Sequence, residues 1–447
     1  MKFTKFGKAV LMSALSIGAM FSVTSCVRSY TVGFLYVTGT VTAGTSGQGI
    51  ISGFKIDHNT GRLVRINGLP VSSGGSNPQR AVLVQAGRFL YVLNRGTNST
   101  GGSVCTTTDP CSGGNITQFA IGGNGILTPQ QTFYSQGINP FRMVTDVSGN
   151  FIFVLDHDSP DNSTCALALG DGVASCGDIT VFKIDSTTGR LSLVVNAQVT
   201  QASGSALPYF PVPANPIDFA ITNSAMLTLS GTPTDGDSAF PYTYSSATGQ
   251  LTINSNSSQP LGVYQATAIV YTATNYMYVL DNEPITYTPT GASSPITVPS
   301  QILPFTVGTN GYLQAQTGGA VPNAVGGSNP IFIMSEKKGK WAYLINQGDS
   351  SDTTTPQSNI AGYLYDTSTH QLTPLSGSPF GTGSGPQCIV EDPSNQFIYT
   401  ANFNDSTVTG RTLDQNLGNL NSLSGKANQP YPLDGQPTWC LVSSRTS

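Results

Sequence analysis

Two arginines stand at the same place in two copies of a repeated phrase. Arg80 and Arg142 each follow an Asn-Pro pair by two residues, in Asn77-Pro78-Gln79-Arg80 and Asn139-Pro140-Phe141-Arg142. Asp218 holds the same place after Asn215-Pro216. Two guanidinium groups can grip a carboxylate or phosphate through paired hydrogen bonds. A neighbouring carboxylate or imidazole could then direct water while the arginines steady a developing oxyanion. The candidates for that second role are Asp218, Asp156 and His157, the last two in Leu155-Asp156-His157-Asp158. Asn94, Arg95, Asp158, Asp281 and Glu283 sit at or just after the ends of similar apolar runs and complete a candidate ligand-binding set. The same residues have a structural reading. A lone buried charge is expensive, so Arg80, Arg142 and Asp218 could pair with one another and hold neighbouring units together. A single loop histidine such as His157 is likewise more often structural than catalytic.

Other chemistries find little support. Asp156, Asp158 and Asp161 are the right type for a hard cation such as Ca²⁺, but lack the Gly and distal Glu of a calcium loop. No cofactor is expected. There is no serine-nucleophile elbow, phosphate loop or dinucleotide fingerprint, and Gly122-Gly123-Asn124-Gly125 reads as a hairpin turn. The formal net charge is −4, which gives no footprint for nucleic acid. Only 9% of the 447 residues are charged, against about 25% in ordinary soluble proteins.

The elements that must position these residues repeat. Gly87-Arg88-Phe89-Leu90-Tyr91-Val92-Leu93-Asn94 is a turn followed by an apolar run, and related phrases return near Phe34, Phe151, Ala225, Tyr276, Trp341 and Phe397. A repeated phrase of this kind marks one supersecondary unit used many times. Each unit reads as an inner strand, the Tyr-Val strand, a third strand such as Asn115–Ile121, and a fourth after a turn such as Asn59-Thr60-Gly61-Arg62. Seven four-stranded antiparallel units imply an all-β, seven-bladed β-propeller. The chain starts on a second strand and ends on an inner one, Thr438 to Ser443, so the last strand should complete the first blade and close the ring. Residues 27–447 therefore read as a single propeller.

Loop lengths assign its faces. Turns between first and second strands are short. Loops after the second strands read as long: Arg95–Gly114, His157–Gly177, Gly231–Phe240, Asn282–Ser300 and Gln347–Asn359. The face carrying these loops is the expected functional face. His58 and His370 fall in turns on the plain face.

Residues 1–26 read as a leader. Lys2, Lys5 and Lys8 precede an apolar run, and Val23-Thr24-Ser25-Cys26 is similar to a bacterial lipoprotein signal in which Cys26 carries the lipid. The expected location is the cell envelope, with the membrane reached through that lipid anchor alone. Six cysteines remain, an even number suited to an oxidising compartment. The expected pairs are Cys105–Cys111, Cys165–Cys176 and, least constrained by sequence, Cys388–Cys440.

Asn-Pro, then about ten residues, then Gly-Arg-Phe-Leu-Tyr-Val-Leu-Asn, then a strand and Thr-Gly-Arg-Leu, resembles the seven-bladed lactonase-type propellers. That family includes 6-phosphogluconolactonase-like and muconate-cycloisomerase-like members. Its members often show Pro-Arg-His at the start of an inner strand. Here Pro78-Gln79-Arg80 and Pro140-Phe141-Arg142 place Arg one position later and carry no His. The resemblance implies a lactonase, with Arg80 and Arg142 binding a small anionic sugar lactone or related ring. The alternative is a non-catalytic surface propeller that binds a glycan, a peptide or a cell-envelope protein partner. The expected state is a monomer.

Overall fold

The computed structural model describes residues 30–444, apart from 42–46, 103, 107, 202, 233, 254–255, 273–275, 290–291, 325, 349–357, 367–368, 370 and 424–428. Cys26, the leader and His370 lie outside the described residues. No helix among these residues is long and apolar enough to cross a membrane.

Seven antiparallel sheets follow one another as blades. Their inner strands are Gln436–Ser444 (blade 1), Pro78–Val84 (blade 2), Ile138–Thr145 (blade 3), Pro216–Ile221 (blade 4), Ala266–Tyr271 (blade 5), Pro330–Ser335 (blade 6) and Pro386–Glu391 (blade 7). Each packs against the next, and blade 7 returns to blade 1, so the ring is closed. Gln436–Ser444 pairs antiparallel with Thr31–Thr40, as the order of the repeats predicts.

The Tyr-Val strands are the densest part of the core. Phe89–Asn94, Trp341–Asn346 and Phe397–Asn402 are buried at every residue. Each sheet is covered on both faces by its neighbours, which explains the continuous apolar run. Burying each large side chain contributes roughly 1.5–3 kcal/mol.

The recurrent tyrosine has a second task. Tyr36 donates to the Gly125 carbonyl at 2.8 Å, Tyr343 to Gly418 at 2.7 Å and Tyr399 to Gly61 at 2.7 Å; Tyr91 donates likewise to Gly189. In each case the hydroxyl latches onto the turn between third and outer strands of the following blade. Those glycines have positive φ, 67° at Gly61, where a side chain would be strained. Asp57, Asp185 and Asp414 shape three of these turns by accepting backbone N–H groups two and three residues on.

The seam between blades 7 and 1 is tied several times. Tyr399 reaches Gly61, and Cys388 and Cys440 form a disulfide between inner strands, with Cα atoms 5.7 Å apart. Cys105–Cys111 and Cys165–Cys176 also pair as expected.

The outer parts add one detail to the four-stranded blades and correct one expected loop. The fourth strand is not one piece in most blades. In blade 1, Leu63–Arg65 and Val71–Ser76 both pair with the third strand, and five other blades repeat this split. Only blade 2, among the described residues, has a continuous outer strand, Leu127–Phe133. An interrupted edge offers fewer free groups to a foreign strand. In addition, Gly231–Phe240 is not a long loop. Ala225–Thr232 and Gly236–Tyr244 stay paired up to Thr232↔Gly236. The Ser, Gly and Thr residues there read as loop, yet they continue the ladder.

Candidate functional site

The Asn-Pro marker has a clear structural meaning. Asn77, Asn139, Asn215 and Asn329 have φ between 50° and 63°, and Gly385 takes the same role at 67°. This left-handed region suits Asn and Gly. The Pro that follows begins the inner strand, and a register shift comes next, at Pro78/Arg80, Pro216/Asp218, Pro330/Phe332 and Pro386/Cys388. The other three blades carry the same bulge. A bulge sets two successive residues against one partner and re-aims their side chains. Gln79 and Arg80 accordingly both face the channel, as do Ile331 and Phe332.

Counting along the sequence puts Thr267 at the Arg80 place in blade 5, but the register gives that place to Ala268, since Ala266 pairs with Asp281 and Ala268 with Leu280. Thr267 sits in the bulge. This blade lacks the Pro that fixes the count elsewhere.

Arg80, Arg142, Asp218, Phe332 and Trp439 meet in one layer across the channel. Arg142 Nε lies 3.3 Å from Asp218 Oδ1. Asp218 also accepts the Phe219 N–H at 2.9 Å and the Ile269 N–H at 3.2 Å. Arg80 has no carboxylate partner among the described residues. Its guanidinium lies 4.1 Å from the centre of the Trp439 ring and donates one hydrogen bond, to the Gln79 carbonyl at 3.0 Å. Burial first, and the charge of Arg142 second, push Arg80 well below the usual arginine range; Asp218 opposes this in part.

Arg95 joins the cluster. Its Nε donates to Asn139 Oδ1 at 2.5 Å. Phe141 lies between the two guanidiniums, 5.7 Å from Arg95 and 5.3 Å from Arg142. Burial, then Arg142, lower Arg95 to about 10.

The layer separates two cavities. A basin of about 490 Å³ opens on the face of long loops. Arg80, Arg95 and Arg142 line it with Gln79, Gln347, Gln387 and Gln436, and no Asp or Glu among the described residues does. The disulfide-closed loop overhangs it through Val104 and Cys105. A chamber of about 570 Å³ lies beneath, running to the turns of the plain face at Asp146, Asn223 and Thr272. The channel is therefore hollow on both sides of the arginines. Small and aliphatic side chains such as Val144, Ala220 and Val270 leave that lower space open.

Of the carboxylates expected beside the arginines, most lie elsewhere. Asp156 is fully buried within blade 3, directly across from Asp178. Its carboxylate accepts from Ser135 Oγ at 2.6 Å and Thr180 Oγ1 at 3.4 Å. Burial pushes both carboxyls up; the charge of Asp156 raises Asp178 further, whereas hydrogen bonds from Ser135 and Asp178 hold Asp156 back in part. The equivalent places hold Asn94↔Asn115, Asp281↔Gln301 and Asn346↔Asn359. Asn94 accepts from Ser73 Oγ at 2.6 Å, and Gln301 donates to Asp281 at 2.8 Å. Burial also raises Asp281, to about 6. These positions are polar clasps inside the blades.

His157 Nδ1 lies 3.0 Å from Asp158 Oδ1. Asp161 caps a short helix by accepting the Ser163 N–H at 2.9 Å. Asp156, Asp158 and Asp161 thus have three separate partners, and no described cluster of His, Cys, Asp or Glu is arranged to hold a metal. Neither His157, Asp158 nor Glu283 lines either cavity. His58 stacks on Tyr30 at 4.4 Å, away from the site.

Gln79 and Gln387 are the site residues that period-two reading misses. A bulge presents consecutive residues to the channel, and alternation picks only one of them.

The family described as "Lactonase, 7-bladed beta-propeller" matches residues 47–207 and 308–434, more than half of the chain. Arg80, Arg95 and Arg142 lie inside the match and Asp218 outside it. No curated protein sequence matches the chain. Among solved structures, a putative 6-phosphogluconolactonase from Bacteroides fragilis superposes with a TM-score of 0.61 at 15% identity, covering 92% of this chain and 98% of that one. A similar protein from Bacteroides uniformis gives 0.61 at 13% identity, with 92% and 100% covered. The periplasmic gluconolactonase of Pseudomonas aeruginosa gives 0.59 at 16% identity, with 93% and 100% covered. At such identities the likeness speaks for the fold alone. The family match together with the seven closed blades makes this chain a member of the lactonase family of seven-bladed β-propellers.

Proposed function

We propose that the chain is a lactonase-type hydrolase for a small anionic ring, such as a sugar-acid lactone. One observation carries the reading: Arg80, Arg95 and Arg142 line a single basin that no carboxylate among the described residues lines. Three crowded cations in a partly desolvated space favour an anion. The amide ring of Gln79, Gln387 and Gln436 matches a polyhydroxylated body.

In this reading Arg80 and Arg142 hold the ligand's anionic group or polarise its carbonyl oxygen. Asp218 faces the chamber below rather than the basin, and its part is to hold the Arg142 guanidinium, 3.3 Å away, in place. Water oxygen bonds to the carbonyl carbon, the ring C–O bond breaks, and a hydroxy acid leaves. At neutral pH one proton is released per turnover. Asp156 and His157, outside the cavity linings, take no direct part.

The rival reading is a binding propeller for a glycan, peptide or envelope protein. It is favoured by the scarcity of acid–base groups at the basin. Proton release from a panel of sugar and aliphatic lactones separates the two. Turnover supports the hydrolase; saturable binding of aldonates without turnover supports the binding module.

Export and lipid attachment at Cys26 belong to the same proposal. The leader composition and the three disulfides support it. A Cys26→Ala variant should lose fatty-acid labelling and leave the membrane fraction; retention of both would refute attachment there.

A further inference from the structure

The chamber below the arginines has a chemistry of its own. Its walls are largely apolar, with Val144, Ile221, Ile269 and Phe332 among them, and its roof is Arg80, Arg142 and Trp439, with Asp218 beside Arg142 and Asp146 at the far end. The roof cations are underused. Arg80 makes one hydrogen bond and no ion pair among the described residues, and Arg142 Nε meets Asp218 at 3.3 Å without a hydrogen-bond partner. The opposite end reaches the plain face, where Val147 is 62% exposed at the rim. A volume of about 570 Å³ falls in the roughly 300–1,000 Å³ range of small-molecule sites.

A purely polar anion would leave these walls wet, and a purely apolar ligand would leave the arginines unanswered. We propose that this chamber is a second binding site, separate from the basin, for a medium-chain aliphatic carboxylate. Its carboxylate meets Arg80 and Arg142 from below, and its tail runs along Val144 and Ile269 toward Val147. Entry is from the plain face, so the ligand need not pass the loops over the basin. Because the two sites share their arginines from opposite sides, a ligand in one weakens a second anion in the other. This site does not depend on lactone hydrolysis.

The test is calorimetric titration of the purified protein with hexanoate, octanoate and decanoate, followed in parallel by fluorescence of Trp439. Affinity should rise about fourfold per added methylene, the equivalent of ~0.8 kcal/mol for each buried CH₂. Val147→Asp, an exposed change at the rim, should weaken octanoate several-fold while leaving gluconate binding at the basin within twofold. Arg80→Met should weaken both ligands. Two results would overturn the proposal: affinity independent of chain length, or octanoate binding undisturbed by both Val147→Asp and Arg80→Met.

Discussion

The Arg80 guanidinium stacks on the indole of Trp439, 4.1 Å from the ring centre, while its neighbour Arg142 takes the carboxylate of Asp218. One arginine is thus neutralised by a charge and the other only held by a π face. That difference leaves Arg80 the cation with most to gain from an incoming anion. Trp439 comes from blade 1 and Arg80 from blade 2, so the contact also spans the blade closed by the C-terminal strand.

Trp439→Leu should therefore act on the ligand site before it acts on the fold. A cation–π contact of a desolvated guanidinium is worth about 2 kcal/mol. The variant should weaken anion binding by about tenfold, as measured by titration with gluconate, while remaining folded by circular dichroism. Unchanged affinity would detach Arg80 from the ligand.

The Asp156–Asp178 pair predicts a pH dependence of stability. The folded value of Asp156 is raised to about 7 by burial, whereas an unfolded aspartate titrates near 3.9. A raised carboxyl keeps its proton in the folded state after the unfolded chain has lost it. Its stabilising contribution is full below about pH 4 and is lost as pH rises toward about 7. Asp156→Asn should flatten that slope and stabilise the protein at pH 8, on the order of 1–2 kcal/mol. Blades 2 and 6 already carry Asn–Asn at this place. Melting curves from pH 4 to pH 8 check the sign; a variant less stable at pH 8 would refute it.

The inter-blade latch should be measurable one tyrosine at a time. Tyr399→Phe removes a buried hydroxyl and strands the Gly61 carbonyl. The expected cost is about 1 kcal/mol, read by urea unfolding. Tyr91→Phe should cost a similar amount, since it faces the same kind of turn.

The three disulfides should differ in weight. Cys388–Cys440 closes 52 residues, Cys105–Cys111 only 6. The chain-entropy model gives about 4 kcal/mol for the longer loop and about 2 for the shorter. Replacing each pair with serine and comparing denaturant midpoints tests that order.

Much of this molecule is legible in its sequence, for identifiable reasons. The Tyr-Val phrase is readable because a strand covered on both faces must be apolar throughout, as Phe89–Asn94 is. The height of Arg80, Arg142 and Asp218 in the channel is readable because Asn-Pro marks a left-handed residue and a bulge at one fixed place. Blade 5 lacks that Pro, and with no marker to count from, only the strand register shows that Ala268 holds the place and Thr267 the bulge. Asp156 is misjudged for the complementary reason: where both faces of a strand are buried, position along it does not say where a carboxylate points. Gln79 and Gln387 escape notice because a bulge breaks the alternation used to find channel residues. The lower chamber has no sequence signal, since it arises from what small side chains fail to fill.

The most direct measurement compares proton release from the lactone panel by the wild-type protein, by Arg80→Met and by the Arg80→Ala/Arg142→Ala double variant. Arg80→Met leaves no carboxylate unpaired, so its fold should match wild type in a melting curve. Losing one electrostatic stabiliser of the transition state costs roughly 10²–10³ in kcat. The account predicts turnover by wild type, a loss of that order in Arg80→Met, and no detectable turnover in the double variant. Equal rates in all three folded proteins, or no turnover by wild type on any lactone, would contradict an arginine-based lactonase site at this basin.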